Sequence, residues 1–422
     1  MSYPRPPTRG FQLTSLRTIS TPTSITRQQA HYFAVYAVLG CVTPYIPIYL
    51  RDVKFLCASE IGLTFAAGQA AVLVMPVVMT YLADRYRLAR PLLITLFAVN
   101  ILAMTGLIGA IGFWGCLAWV AINRMVTQPQ VALSDGLYFT LQSDPAQPRA
   151  SYASVRVWGT VGFIVPSIVI YVSYHLGAFC KGGLTWMPYV AGVFAAFGIL
   201  NAFGLPQRFA PRADAAAPQR MPTLAAAKVL LQPRLGLFVA GVGCVIMSNM
   251  AFYGFYPLYL TTEVGIGEKW VGLISSFGVA LEVLYILGLD RMRQRFGLGG
   301  LMVLGGAASL FRLGCLAFLP TPFFSVIFQV VHGLTVVGFM IVPVIYLNTH
   351  ANEGYRNSIQ GLYVMIVQGG FSIAGNIIAG QIAEASGLLV LYRSAIVACV
   401  VGLVLVALSF RFRHEPPDRA VG

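Results

Sequence analysis

The sequence predicts an all-α polytopic membrane protein, with twelve transmembrane helices arranged as two pseudo-symmetric six-helix halves. Three observations predict it. Only 10% of the 422 residues are Asp, Glu, Lys or Arg, while 57% are hydrophobic. Soluble domains carry roughly 25% charged residues, so most of this surface meets something apolar, and lipid is the natural candidate. Residues 28–50, 61–83, 91–123, 157–180, 182–207, 235–262, 313–352 and 357–383 contain no Asp, Glu, Lys or Arg at all. Each is long enough to cross a hydrocarbon core of about 30 Å. The third observation is that the bases are segregated along the chain, as described below.

Backbone groups in hydrocarbon must be satisfied internally, and long non-alternating apolar runs favour helices over barrel strands. Trimming the long runs and adding four that hold or abut a charge (about 114–141, 270–289, 296–318 and 388–410) gives twelve spans. They begin near His31, Gly62, Pro91, Trp114, Val155, Met187, Leu237, Trp270, Leu298, Phe323, Ser358 and Leu388. Residues 1–30 are rich in Pro, Thr, Ser and Arg, lack the layout of a signal peptide and read as a tail. Residues 206–235 form the central loop, with five prolines, and residues 411–422 form a second tail.

The net charge is +14. With twelve spans both termini share one side, and that side receives 21 of the 28 bases. The opposite loops hold only Arg51, Lys54, Lys181 and Lys269, and Arg124, Arg312 and Arg393 lie inside spans. This asymmetry predicts cytoplasmic termini and a location in the cytoplasmic (inner) membrane. The bases are spread over short loops, so no folded patch for nucleic acid is expected. Of seven cysteines, Cys41, Cys116, Cys244, Cys315 and Cys399 fall in apolar runs, where a thiol behaves as a small hydrophobe. Cys57 and Cys180 share an aqueous side, which permits a disulfide without requiring one. No Cys or His spacing suits a metal, and no cofactor is expected.

The halves resemble one another. Pro47-Ile48-Tyr49-Leu50 closes the first span and Pro257-Leu258-Tyr259-Leu260 the seventh, 210 residues later. Ile61-Gly62-Leu63 and Val271-Gly272-Leu273 repeat at the same offset, and Asp84-Arg85-Tyr86-Arg87 and Asp290-Arg291-Met292-Arg293 at an offset of 206. Two parallel six-span halves suit alternating access around a site between them.

The stretch Tyr81-Leu82-Ala83-Asp84-Arg85, echoed at 288–293, resembles the signature loop of the major facilitator superfamily. Thr80 and Arg87 stand where that loop usually has glycines. Ser154-Val155-Arg156-Val157-Trp158-Gly159-Thr160-Val161-Gly162, preceded by Leu133-Ser134-Asp135-Gly136-Leu137, adds a more specific likeness. So do Gly254-Phe255-Tyr256-Pro257, Ala280-Leu281-Glu282-Val283 and Val331-His332-Gly333-Leu334-Thr335. Together they are similar to the 3-phenylpropionate-permease-like group, whose relatives are nucleoside:proton and oligosaccharide:proton symporters. The resemblance spans about residues 30–410. It implies a secondary transporter rather than an enzyme, acting as a monomer in the lipid bilayer.

Ionisable groups at mid-membrane cost roughly 2.5 to 3.5 kcal/mol on insertion scales, so each is a functional candidate. Glu282 lies eight residues before Asp290, hence about 12 Å from that end of its helix. Burial at that depth disfavours its charged form, so it is the expected proton carrier; the alternative is a structural pair between helices. Arg312 and His332 are its natural partners. The resemblance implies the same, because oligosaccharide symporters carry a similar Arg and His. Those relatives place a carboxylate one turn after the His, where this chain has Thr335, so the proton is expected on Glu282.

The fourth span is unusually polar: Asn123, Arg124, Thr127, Gln128, Gln130, Ser134 and Asp135. At about 100° per residue, Arg124, Gln128 and Asp135 share one face, expected to look into a central cavity. Arg124 there would meet a substrate carboxylate, or else pair with an acid. Arg156, by resemblance, lies near the substrate or the cytoplasmic gate, with Asp135 as a candidate partner. Asn249, Tyr253 and Tyr256 on the seventh span, and Gln368, Ser372 and Asn376 on the eleventh, form polar stripes. Cavity lining and plain interhelical hydrogen bonds explain these about equally. Asp84, Arg85, Arg87, Asp290, Arg291 and Arg293 are expected to form a breakable cytoplasmic latch, each carboxylate near a helix N-terminus. The sequence thus predicts a proton-coupled symporter of a small organic solute: aromatic acids such as phenylpropionate first, nucleosides second, oligosaccharides third. An exporter is a rival reading, and a membrane enzyme on lipid-linked substrates a weaker one.

Overall fold

The computed structural model describes residues 23–86, 88–143, 149–175, 183–205, 227, 229–349 and 356–411. Among these residues there is no strand, and eleven helices are long and apolar enough to cross a membrane. A twelfth, Gly112–Ser143, has 32 residues and fails only on polarity, because it carries the seven polar residues of the fourth span. In chain order the helices are α1 (Thr23–Val42), α2 (Ala58–Tyr86), α3 (Ala89–Gly109), α4 (Gly112–Ser143), α5 (Tyr152–His175) and α6 (Met187–Phe203). The second half comprises α7 (Pro233–Thr262), α8 (Glu268–Leu287), α9 (Leu289–Phe318), α10 (Pro322–Asn348), α11 (Ile359–Ser386) and α12 (Leu388–Ser409).

Helix α1 begins inside the tail that was expected to reach residue 30. Its first turns are polar, yet Gln28 and His31 are buried, and Asn201 of α6 donates to the Arg27 carbonyl at 2.9 Å. Packing against α6, which composition does not reveal, orders this segment. Most of the central loop, Cys180 and Arg87 lie outside the described residues. Cys57 is half-buried, with its Sγ 3.1 Å from the Ser59 hydroxyl.

Each half repeats one packing scheme. Helix α1 packs on α5 and α6, α2 on α4, and α3 on α6; likewise α7 packs on α11 and α12, α8 on α10, and α9 on α12. Between halves, α2 meets α11 and α5 meets α8. Without a hydrophobic drive inside lipid, such pairs rely on close backbone approach at small residues. At the α1–α5 crossing a Cβ on Gly40 would overlap the Phe163 carbonyl, and one on Gly162 the Phe33 carbonyl. A Gly162→Val protein should therefore lose most of its monodisperse yield in detergent, since overpacking costs about 1–3 kcal/mol or more. Gly136→Ala, with nothing within 4 Å of the added carbon, should leave that yield unchanged.

Several helices are irregular where the repeat is interrupted. Helix α10 contains a 3-10 turn at Phe328–Val331 and a π segment at Val337–Ile341. Helix α11 carries a π segment over Val364–Phe371. In α9, Gly297 adopts φ 65°, a conformation that favours glycine. It separates a first segment bearing Asp290, Arg291 and Arg293 from the span proper, which accounts for the expected start near Leu298.

The hydrogen bonds that join the two halves cluster toward the end remote from the termini. Arg51 donates to Thr261 at 3.2 Å, the Ala58 amide to Glu384 at 2.7 Å, Tyr174 to Glu268 at 2.9 Å and Ser276 to Ser167 at 3.2 Å. Toward the terminal end, Val77 and Tyr81 of α2 and Leu284 and Leu287 of α8 are exposed.

Candidate functional site

The second half concentrates its buried charge at one point. Arg312 of α9 is fully buried. Its Nη1 lies 3.0 Å from His332 Nδ1 of α10, and its Nη2 donates to Asn249 Oδ1 of α7. The guanidinium carbon sits 4.0 Å from the centroid of the Phe252 ring and 5.8 Å from that of Tyr253. An aromatic face attracts a desolvated cation, so three helices and two rings enclose this arginine. On the far side of His332, Nε2 is 3.6 Å from Glu282 Oε2 of α8. The structure thus brings Glu282, His332, Arg312, Asn249 and Tyr253 into one cluster.

The order of contacts fixes the chemistry. A guanidinium has donors only, so His332 Nδ1 must accept, and the imidazole carries its hydrogen on Nε2. That hydrogen faces Glu282. While Arg312 occupies Nδ1, the histidine has no free lone pair for a second proton. Glu282, with a quarter of its side chain exposed, is the member of the cluster that can still take up a proton. The backbone permits this spacing at Gly333, where a Cβ would come 2.9 Å from the Glu282 Cα. Thr335, about one turn after His332, accepts from the Ser309 hydroxyl at 3.4 Å.

The polar residues of α4 divide into two faces. Asn123, Thr127, Gln130 and Ser134 are buried; Thr127 accepts from Asn100 of α3 at 3.1 Å. Arg124, Gln128 and Asp135 are half-buried on the other face. The Arg124 stem lies over Gly68 of α2, where an added Cβ would be 3.0 Å away. Its guanidinium makes no ion pair or hydrogen bond with any described residue. It is a half-buried cation of the first half without a partner among the described residues.

Asp135 does not pair with Arg156, contrary to expectation. Its Oδ1 accepts from Tyr32 at 2.6 Å and from Tyr152 at 2.9 Å. Arg156 instead donates to the Tyr36 hydroxyl at 2.6 Å and stacks 4.1 Å from the centroid of its ring. Two phenols satisfy the acid and one phenol the base. Sequence reasoning passed over these tyrosines, although Tyr32 and Tyr36 at i, i+4 on α1 were a usable signal.

Other expected sites are placed less favourably for a cavity. Asn376 is buried and donates to Ser372 of its own helix at 2.8 Å; it sits at the tight α2–α11 contact beside Gly62. Gln368 is half-buried on α11. Tyr256 is buried and donates to the Ser325 carbonyl at 2.6 Å. Of the expected terminal-end latch, Arg85, Asp290, Arg291 and Arg293 are exposed, and Asp290 has no ion pair among the described residues. Arg87 and the Asp84 side chain lie outside the described residues. Asp84 belongs to the last turns of α2 rather than to a helix N-terminus, because the helix runs on to Tyr86.

Comparison with known proteins places this geometry in context. A model of the MFS_1 like family matches residues 25–394. The xanthosine permease of Escherichia coli K12 is 24% identical over 371 residues, covering 83% of this chain and 85% of that protein. The probable 3-phenylpropionic acid transporter of the same organism is 24% identical over 382 residues, covering 87% and 93%. A crystal structure of the nucleoside transporter NupG superposes with a TM-score of 0.81 at 17% identity, covering 93% of this chain and all of that one.

Proposed function

The chain belongs to the MFS_1 like family, and from that premise we propose that it is a proton-coupled symporter of a small aromatic acid. That it is a membrane transporter of the major facilitator type, and not an enzyme, follows from the family itself. The finer reading rests chiefly on one contrast. The cation of the second half, Arg312, is enclosed by its own partners, whereas Arg124 in the first half has none among the described residues. An unpaired guanidinium in a low-dielectric site is costly unless a substrate anion completes it. Near the second-half cluster, the half-buried Tyr253 offers a ring against which an aromatic solute can pack, whereas Phe252 is already covered by Arg312 and Tyr256.

Coupling is assigned to Glu282. It loads a proton while facing one side, and the neutral carboxyl lets the halves rearrange; His332, held by Arg312, orients it. The excess of bases around the termini supports a cytoplasmic location for that end. Uptake in proteoliposomes tests the substrate. Arg124→Gln should raise KM for phenylpropionate about 10- to 100-fold, the equivalent of losing a charged hydrogen bond. Uptake of uridine by the same variant should stay within about twofold. Equal losses for both solutes would remove Arg124 from carboxylate recognition.

A nucleoside is the second reading, favoured by the likeness to a xanthosine permease and to a nucleoside transporter. A thermal-shift screen of phenylpropionate, uridine and maltose on purified protein separates the readings, because only a bound solute stabilises the fold by mass action.

A further inference from the structure

We infer that Glu384 and Glu268 are positioning residues of the transport cycle, which hold shut the end of the protein remote from the termini. The α2–α11 and α5–α8 pairs are equivalent under the internal repeat, and each carries one carboxylate that reaches from the second half to the first. Glu384 of α11 accepts the Ala58 amide at 2.7 Å. That amide is one of the first-turn donors of α2 that have no partner within their own helix. The neighbouring Cys57 amide is taken locally by Glu60 at 3.0 Å. The cap on Ala58 is different, because it comes from the opposite half and exists only while the halves abut. Glu268, in the first turn of α8, accepts from Tyr174 of α5 at 2.9 Å.

Behind each carboxylate a glycine lets the opposite half approach closely, backbone on backbone behind Glu384 and a side chain on backbone behind Glu268, which makes the closed state a fitted surface. A Cβ on Gly380 would lie 2.7 Å from the Ala58 carbonyl and 3.0 Å from the Gly62 Cα. A Cβ on Gly272 of α8 would overlap the Tyr45 hydroxyl. Glu384 is exposed and Glu268 half-buried, so water can replace either bond once the halves part. The latches are therefore strong enough to favour closure and cheap enough to break in every cycle. Among the described residues the terminal end holds no corresponding hydrogen bond between the halves, so in the state seen here the seal lies at the remote end.

The test needs no knowledge of the substrate. A Phe65→Cys reporter on α2, in full-length protein with Cys57 and Cys180 replaced by Ser, is labelled with a membrane-impermeant maleimide. Right-side-out and inside-out vesicles identify the face from which the reagent enters. Glu384→Ala and Tyr174→Phe should each raise labelling from the face remote from the termini about three- to tenfold, as expected when one hydrogen bond that water can replace is lost. Glu384→Gln, which keeps an oxygen acceptor for the Ala58 amide, should stay near the parent rate, and melting temperatures should show that all variants are folded. Unchanged labelling in both Glu384→Ala and Tyr174→Phe would overturn the assignment, as would equal increases from the Ala and Gln variants of Glu384.

Discussion

Glu282→Gln is expected to abolish proton-driven accumulation while leaving substrate exchange intact. The amide is nearly isosteric and can still accept from the His332 Nε2 hydrogen, so the packing around Gly333 and the orientation of Arg312 should survive. What is lost is the change of charge. A gradient of one pH unit supplies about 1.4 kcal/mol per proton, enough for roughly tenfold accumulation at one proton per solute. The parent protein should approach that ratio in proteoliposomes, and the Gln variant should stop at equal concentrations inside and out. Counterflow requires only that the loaded carrier reorient, so it should proceed in the variant at a comparable rate. A variant that still accumulates solute against its gradient would remove Glu282 from coupling.

Arg312 should give the largest structural effect. Its side chain is fully buried and holds Asn249, His332 and the Phe252 ring. Arg312→Ala leaves a cavity and strands two buried acceptors, each costing about 1–3 kcal/mol. The expected readout is a collapse in monodisperse protein. Arg312→Lys separates stability from mechanism. It keeps the charge but loses the planar fork that reaches Asn249 and His332 together while stacking on Phe252. That protein should fold, yet transport at least about tenfold more slowly. Because His332 Nδ1 is then no longer held by a fixed donor, the pH profile of uptake should also change shape. A Lys variant with the parent's rate and profile would show that Arg312 only packs the helices.

Much of this was legible in the chain because lipid imposes a coarse code. Spans follow from runs without charge, and Glu282, Arg312 and His332 stood out because ionisable groups are scarce in such runs. Their mutual contact was also anticipated, since stranded charges need partners. What the sequence did not convey is how partners are shared. Asp135 and Arg156 looked like a natural ion pair, yet phenols on α1 and α5 satisfy each separately, and tyrosine carries no formal charge to mark it. Phe252 was invisible for the same reason, although it covers one face of Arg312. On α4, Arg124, Gln128 and Asp135 read as one face, but nothing in the chain said where the other four polar residues go, and they are buried. Helical periodicity gives angles around one axis but not which angle meets another helix. Asn249 and Asn376 show the same limit: both lie on the expected stripes, yet one completes the arginine cage and the other sits in a glycine-lined crossing. The start of α1 was misplaced because its first turns are polar and are ordered only by contact with α6.

The central claim is that solute and proton move together through Glu282, and the most direct measurement is solute-driven proton flux. Proteoliposomes loaded with a pH-sensitive dye and the parent protein should acidify inside when phenylpropionate or uridine, whichever the protein binds, is added outside. Protein-free liposomes subtract passive entry, and a protonophore should collapse the signal. Glu282→Gln proteoliposomes should show no protein-dependent acidification while still exchanging labelled solute. An absence of acidification with the parent protein, or its persistence in the Gln variant, would contradict the account.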